Sequence, residues 1–355
     1  MRETVRVTAR IGSGVQAALA AAVLFGAGAP VAKLLLGSVT PWMLAGLLYT
    51  GSGVGLALWR VVRRAEPVHL APSDRLPLAG AVVVGGIVAP VLLMVGLINL
   101  PATGASLLLN AEGVFTALIA WVVFRENVDR LVALGMVAIV AGAVVLVVPL
   151  GVELGTFWPS LAVLAACLGW AIDNNLTRKV SLTDASWLAA VKGLVAGPTN
   201  LILAFVLGST LPPAANLAAA LLVGFFAYGV SLVLFILGLR HLGTARAGAY
   251  FSVAPFFGAA LAIGLGEPIT IPLLAAGALM ALGVYLHLRE QHVHTHAHTA
   301  VTHDHWHTHD DLHHDHAHPD GDTPAAGHGH RHPHHHAEVR HSHSHYPDAH
   351  HRHDH

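Results

Sequence analysis

Cysteine is all but missing from this chain: Cys167 stands alone inside an apolar run, which excludes an intramolecular disulfide and any cysteine-rich metal centre. Charge is nearly as scarce. Only 11% of the 355 residues are Asp, Glu, Lys or Arg, and a formal net charge of -1 gives no electrostatic basis for a nucleic-acid partner. Catalytic signatures are missing too. The chain before its tail has no nucleophile elbow, phosphate-binding glycine loop, paired-cysteine zinc motif or HExxH, so neither an ATPase nor a hydrolase is supported. What is present is apolar: 54% of the residues are hydrophobic although the tail is polar. No soluble domain of this size has that composition.

Apolar stretches of about 20 residues, the length that crosses a bilayer, fall near 15–36, 41–60, 77–98, 102–124, 131–149, 157–176, 186–208, 216–238, 245–265 and 270–288. Sixteen Lys and Arg precede the tail, and two of them, Lys33 and Lys192, fall within these stretches. The other fourteen, from Arg2 to Arg289, all flank alternate connections. The positive-inside rule therefore places both termini on the cytoplasmic side of the cytoplasmic (inner) membrane. Arg2, Arg6 and Arg10 before an apolar stretch also suit a signal peptide, but this stretch outruns a signal core.

The chain says much the same thing twice. Gly96, Leu97, Leu100, Ala105, Phe115 and Ala117 recur 142 positions later as Gly238, Leu239, Leu242, Ala247, Phe257 and Ala259, and Glu126 is echoed one residue early by Glu267. Five spans lie in each copy, so the copies enter the bilayer from opposite sides, the inverted-repeat plan of a secondary transporter. The expected fold is an all-α membrane protein: a cytoplasmic start over 1–14, two inverted five-helix repeats over 15–149 and 157–288, and a disordered His-rich tail over 291–355. Pro30, Pro90, Pro198 and Pro255 fall within spans, where each frees a carbonyl and predicts a kink. Gly51 with Gly55, and Gly193 with Gly197, predict close helix approach.

Between residues 15 and 288 the chain resembles the drug/metabolite transporter superfamily, in particular its EamA-type members. The resemblance rests on Thr103 to Glu126, ending Phe124-Arg125-Glu126, and on its copy Ala245 to Glu267, with Ala254-Pro255-Phe256 and Gly266-Glu267. Leu164 to Lys179, with Gly169-Trp170 and Thr177-Arg178-Lys179, also fits. It implies a transporter of the cytoplasmic membrane, often an exporter of amino acids, other metabolites or drugs, that alternates access around a cavity between the repeats. The first repeat departs from the second at one place, with Glu112-Gly113 where the second has Pro255.

Glu112 is the leading functional residue. Thirteen positions before Arg125, it lies about 20 Å along a helix from that cytoplasmic end, near mid-membrane. A carboxylate there must be paired, protonated or turned to water, and a group that gains and loses a proton suits coupling to a proton gradient. Lys192 is its expected partner. Asp173, Asn174 and Asn175 form the most polar cluster in any span, with Arg178 as an alternative partner for Asp173. Asn110, Ser106, Tyr228 and Tyr250 offer hydrogen bonds to a small-molecule cargo, and Lys33 is expected to snorkel to the outer surface.

From Gln291 onward the composition changes: 25 of the 28 histidines fall in the last 65 residues. His292, His294, His296 and His298 alternate, as do His303, His305, His307 and His309, while His334, His335 and His336 are contiguous. Alternation puts imidazoles on one face of an extended chain, where Zn, Ni, Co or Cu could be bound with help from Asp304, Asp310, Asp311 and Asp315. No other cofactor is required. Three functions follow in order: an exporter of a small organic metabolite or drug with a metal-binding regulatory or buffering tail, a transporter of a divalent transition metal, and a membrane-tethered metal buffer or sensor. Whether two copies form a homodimer is open.

Overall fold

The computed structural model describes residues 2–68, 70–124, 130–147, 157–180, 183–242 and 250–288, and four tail segments, 293–298, 301–307, 330–336 and 339–344. Residues 1–290 hold the helices, and the tail segments belong to a second unit. In the helical unit α1 (Arg2–Leu35) runs through Pro30, and α2 (Pro41–Val62) opens on a proline whose missing N–H is an orphan of the first turn in any case. The third apolar stretch is one rod in three parts: α3 (Arg75–Ala81), a π-helical segment Val82–Val88, and α4 (Ala89–Asn99). Leu100 and Pro101 turn the chain into α5 (Ala102–Leu108), followed after a two-residue break by α6 (Ala111–Phe124), then α7 (Arg130–Val147).

The second half repeats the plan. It runs α8 (Trp158–Lys179), α9 (Ala185–Val206), α10 (Ala214–Val223), a π-helical segment Gly224–Val230, α11 (Ser231–Leu242), α12 (Ala254–Gly264) and α13 (Ile271–Leu288). Asp184 caps α9 by accepting the Trp187 N–H at 2.8 Å. Gly208 and Gly266, at φ +84° and +103°, turn the chain after α9 and α12 in the left-handed region that side chains avoid. The two π segments are separated by the same 142 residues as the sequence repeat, and the break at 109–110 has its counterpart in the turn at 252–253. The duplication is thus written in the irregular places of the backbone as well as in the residues.

Among the described residues, seven helical stretches are long and apolar enough to cross a membrane, and Ala254–Gly264 and Ile271–Leu286 are shorter apolar helices. That is fewer than the ten expected, because α8 carries Asp173, Asn174 and Asn175 in its apolar length and the last two are short. Val122, Val137, Ile202 and Leu274 are among many large apolar side chains left exposed, as suits a surface whose solvent is lipid.

Helices approach through glycine. A Cβ on Gly193 of α9 would overlap the backbone of Gly53 of α2, and one on Gly197 would overlap Thr50. Gly51 and Gly55 face elsewhere, against Leu221 and Phe225, so only the second of the two expected pairs serves the α2–α9 contact. At one end of that contact Arg60 binds Asp184 and Ser186, both at 2.6 Å. Within lipid such contacts hold by van der Waals packing rather than by water exclusion. Gly193→Val is expected to force α2 and α9 apart at a cost of about 1–3 kcal/mol. Gly264→Ala, with nothing within 4 Å of the new methyl, is the control. Thermal unfolding in detergent with size-exclusion profiles checks both.

Four short segments of the tail are described, and they pair as strands. Val293–His298 pairs antiparallel with Val339–Ser344, and Val301–His307 with His330–His336. The pairing is held by backbone hydrogen bonds between antiparallel strands. The alternating Val, Thr and His residues also have the period of a strand.

Candidate functional site

Pro90 organises the middle of the helical unit. It has no N–H, so the carbonyls of Gly85 and Gly86 lose the donor that a helix would supply from that position. Side chains from three other helices replace it. Gly85 O accepts the Tyr49 hydroxyl at 2.8 Å and the Trp170 indole N–H at 3.0 Å, and Gly86 O accepts Asn200 Nδ2 at 3.3 Å. A π turn also widens the helix, and beside it Gly85 leaves room for a carboxylate: a Cβ there would overlap Asp173.

That carboxylate is tightly held. Lys192 Nζ donates to Asp173 Oδ1 at 2.6 Å and Oδ2 at 2.7 Å, and Thr177 Oγ1 donates to Oδ1 at 2.8 Å. Asp173 and Lys192 are each 6% exposed, so neither charge has water to fall back on. The expected pairing of Lys192 with Glu112 is corrected: the lysine belongs to Asp173. Both groups lie beside the Val82–Val88 segment, which packs against α8 and α9 and brings their side chains together.

Glu112 stands in a different setting. The break at 109–110 divides the fourth span, and Glu112 sits in the first turn of α6, at the positive end of a half-helix. Its partner among the described residues is a neutral amide, Asn174 Nδ2, at 2.8 Å from Oε1. At the break Leu107 O accepts both the backbone N–H and the side-chain Nδ2 of Asn110, each at 3.0 Å, and the Cys167 thiol donates to Leu108 O at 3.6 Å. Asn175 Nδ2 donates to Ala171 O of its own helix at 2.9 Å and to Thr116 O of α6 at 3.3 Å. Ser106 Oγ, Asn110 Oδ1 and Thr116 Oγ1, along α5 and α6, are buried without a hydrogen-bond partner among the described residues. Each such group costs about 1–3 kcal/mol, which makes it ready to accept a solute.

Beside the carboxylates lies an aromatic cluster. Phe25 meets Trp170 and Tyr228 at 6.0 Å between ring centres and Phe251 at 5.3 Å, and Tyr49 meets Tyr228 at 5.5 Å. Of the expected site residues, the structure gathers Glu112, Asn174, Asp173 and Lys192, with Asn110 and Asn175 next to them. Tyr250 is not among them; it packs by Ala18 with Val15 and Phe235. Tyr49, Trp170, Thr177 and Asn200 were missed as members of the site. Pro90 inside an apolar span was the available signal, because the carbonyls it frees need donors.

Among the described residues no three His, Cys, Asp or Glu gather to hold a metal ion. His292 and His309 lie outside the described residues. His294, His296, His298, His303, His305, His307, His334, His335 and His336 fall on the tail strands, whose register sets His303 opposite His334 and His294 opposite His343.

Apolar helices with half-helix breaks, duplicated and closing around carboxylates that a soluble core would exclude, define a multi-pass membrane transporter of the drug/metabolite type. Residues 12–148 and 157–289 match the EamA-like transporter family, once for each repeat, and the chain belongs to that family. It is 30% identical over 289 residues to a protein of Methanothermobacter thermautotrophicus described as "Uncharacterized transporter", covering 76% of this chain and 84% of that one. A crystal structure of a protein at 18% identity superposes with a TM-score of 0.60 over 76% of this chain and 95% of its own, which is a likeness of fold alone.

Proposed function

We propose that the chain exports a small organic metabolite or drug across the cytoplasmic membrane in exchange for protons. It crosses the bilayer ten times as two inverted repeats, with both termini in the cytoplasm. The observation that carries this reading is the inequality of two buried carboxylates. Asp173 is neutralised by Lys192, whereas Glu112 has a neutral amide for its partner. A carboxylate with no direct ion pair among the described residues is the one that takes up and releases a proton as access alternates. The unpartnered polar atoms of Ser106, Asn110 and Thr116 offer the cargo hydrogen bonds on either side of it. The tail binds Zn, Ni, Co or Cu through its imidazoles and regulates the transporter or buffers the metal.

The test is flux in vesicles carrying a pH gradient, with an amino-acid and drug panel beside Zn, Ni and Co, comparing the full chain with one truncated after Arg289. Organic-solute flux is expected to collapse with a protonophore and to survive truncation, while metal binding is lost with the tail. Metal flux that survives truncation and disappears in Glu112→Gln would make a metal the cargo instead.

A further inference from the structure

The corner between α4 and α5 is held by two opposite charges, each brought by another part of the chain. Lys33, near the end of α1, donates through Nζ to Leu97 O at 2.5 Å and Ile98 O at 2.9 Å, carbonyls at the end of α4. Glu267, in the connection between α12 and α13, accepts the Ala102 N–H at 2.6 Å and the Thr103 N–H at 2.8 Å, one on each carboxylate oxygen. A cation thus sits on the negative end of one helix and an anion on the positive end of the next. The two charges also attract each other.

Below this corner α1 and α12 meet backbone to backbone at glycine, with Ser106 of α5 against them. A Cβ on Gly26 would overlap the Ala254 carbonyl, and one on Gly258 would stand 2.7 Å from both Gly26 O and Ser106 Oγ. At 1.5 Å per residue Ser106 is about 6 Å, and Glu112 about 15 Å, along the chain from Ala102, so the seam lies between the corner and Glu112. The corner is at the end of the unit whose connections carry no Arg or Lys, the outer face on the orientation proposed above.

We propose that Lys33 and Glu267 are the latch of the outer gate: they fasten α1 of the first repeat and the α12–α13 connection of the second onto the α4–α5 corner, and release when that face opens. The contact differs in kind from the α2–α9 contact. At its centre that one is backbone against backbone, Gly193 on Gly53, with no side chain at that point to release. The latch is four hydrogen bonds from two half-buried side chains, all exchangeable for water. Glu267 also follows Gly266, whose left-handed backbone marks a turn that can pivot. The proposal rests on the transport reading for its purpose and on the orientation only for the word outer.

The experiment needs no cargo. In a Cys167→Ser background, Ser106→Cys places a thiol in the seam, and a membrane-impermeant methanethiosulfonate is applied to either side of the membrane. Labelling is expected to be slow with the latch intact, to rise at least about tenfold in Glu267→Gln and in Lys33→Met, and to stay slow in Lys33→Arg, which keeps the charge. The rise is read from the outer side; a rise from the cytoplasmic side keeps the latch and reverses the assigned orientation. Unchanged labelling in either charge-removing variant overturns the latch, and a fall in thermal stability without a gain in labelling does the same, because it makes the contacts a static cap. If one variant does not elute as a folded protein, the other carries the test.

Discussion

Glu112→Gln is expected to lower proton-driven solute flux at least about tenfold, equivalent to about 1.4 kcal/mol on the limiting barrier, and to leave the fold intact. The substitution is close to isosteric. Asn174 Nδ2 donates to Glu112 Oε1, and the carbonyl oxygen of a glutamine amide can accept the same bond. What disappears is the capacity to gain and lose a proton. Solute counterflow, which needs no net proton movement, is therefore expected to persist in the variant while accumulation against a gradient does not. Flux in vesicles with and without an imposed pH gradient separates the two. Accumulation equal to that of the parent would move the coupling proton to another group.

Much of the architecture was legible because repetition and lipid both leave marks on composition. The 142-residue echo of Gly96 in Gly238 and Phe115 in Phe257 carried the two-repeat plan, and it reappears in two π segments at the same separation. Those segments could not be read directly, since a π turn has the hydrophobicity of the helix around it; Pro90 gave only the place. The Asp173–Lys192 pair was less legible. Asp173 lies six residues before the end of α8 and Lys192 seven after the start of α9, so their similar depth was in the sequence. Which helix lies beside which was not, and the lysine was assigned to Glu112 on depth alone.

Lys192→Met is expected to be the most destabilising single change in the helical unit. It leaves Asp173 buried with only the Thr177 hydroxyl, at 2.8 Å, to stabilise its charge. Breaking a buried ion pair from one side costs about 3–5 kcal/mol, because the remaining charge has neither partner nor water. Asp173→Asn is expected to be milder, since the ammonium keeps an amide oxygen and Thr177 Oγ1, now 3.3 Å away, as acceptors. The double variant, Asp173→Asn with Lys192→Met, removes both charges and is expected to recover most of the loss, because a neutral pair of similar volume carries no desolvation penalty. Thermal unfolding of the three variants in detergent gives the cycle, and a double variant as unstable as Lys192→Met would show that shape rather than charge holds this part of the bundle. The same double variant also tests the division of labour between the carboxylates. If the ion pair serves to neutralise Asp173 and so leaves Glu112 as the one carboxylate that takes up a proton, removing the pair as a unit preserves proton-driven flux. Loss of flux in a stably folded double variant would instead make Asp173 and Lys192 part of the moving charge.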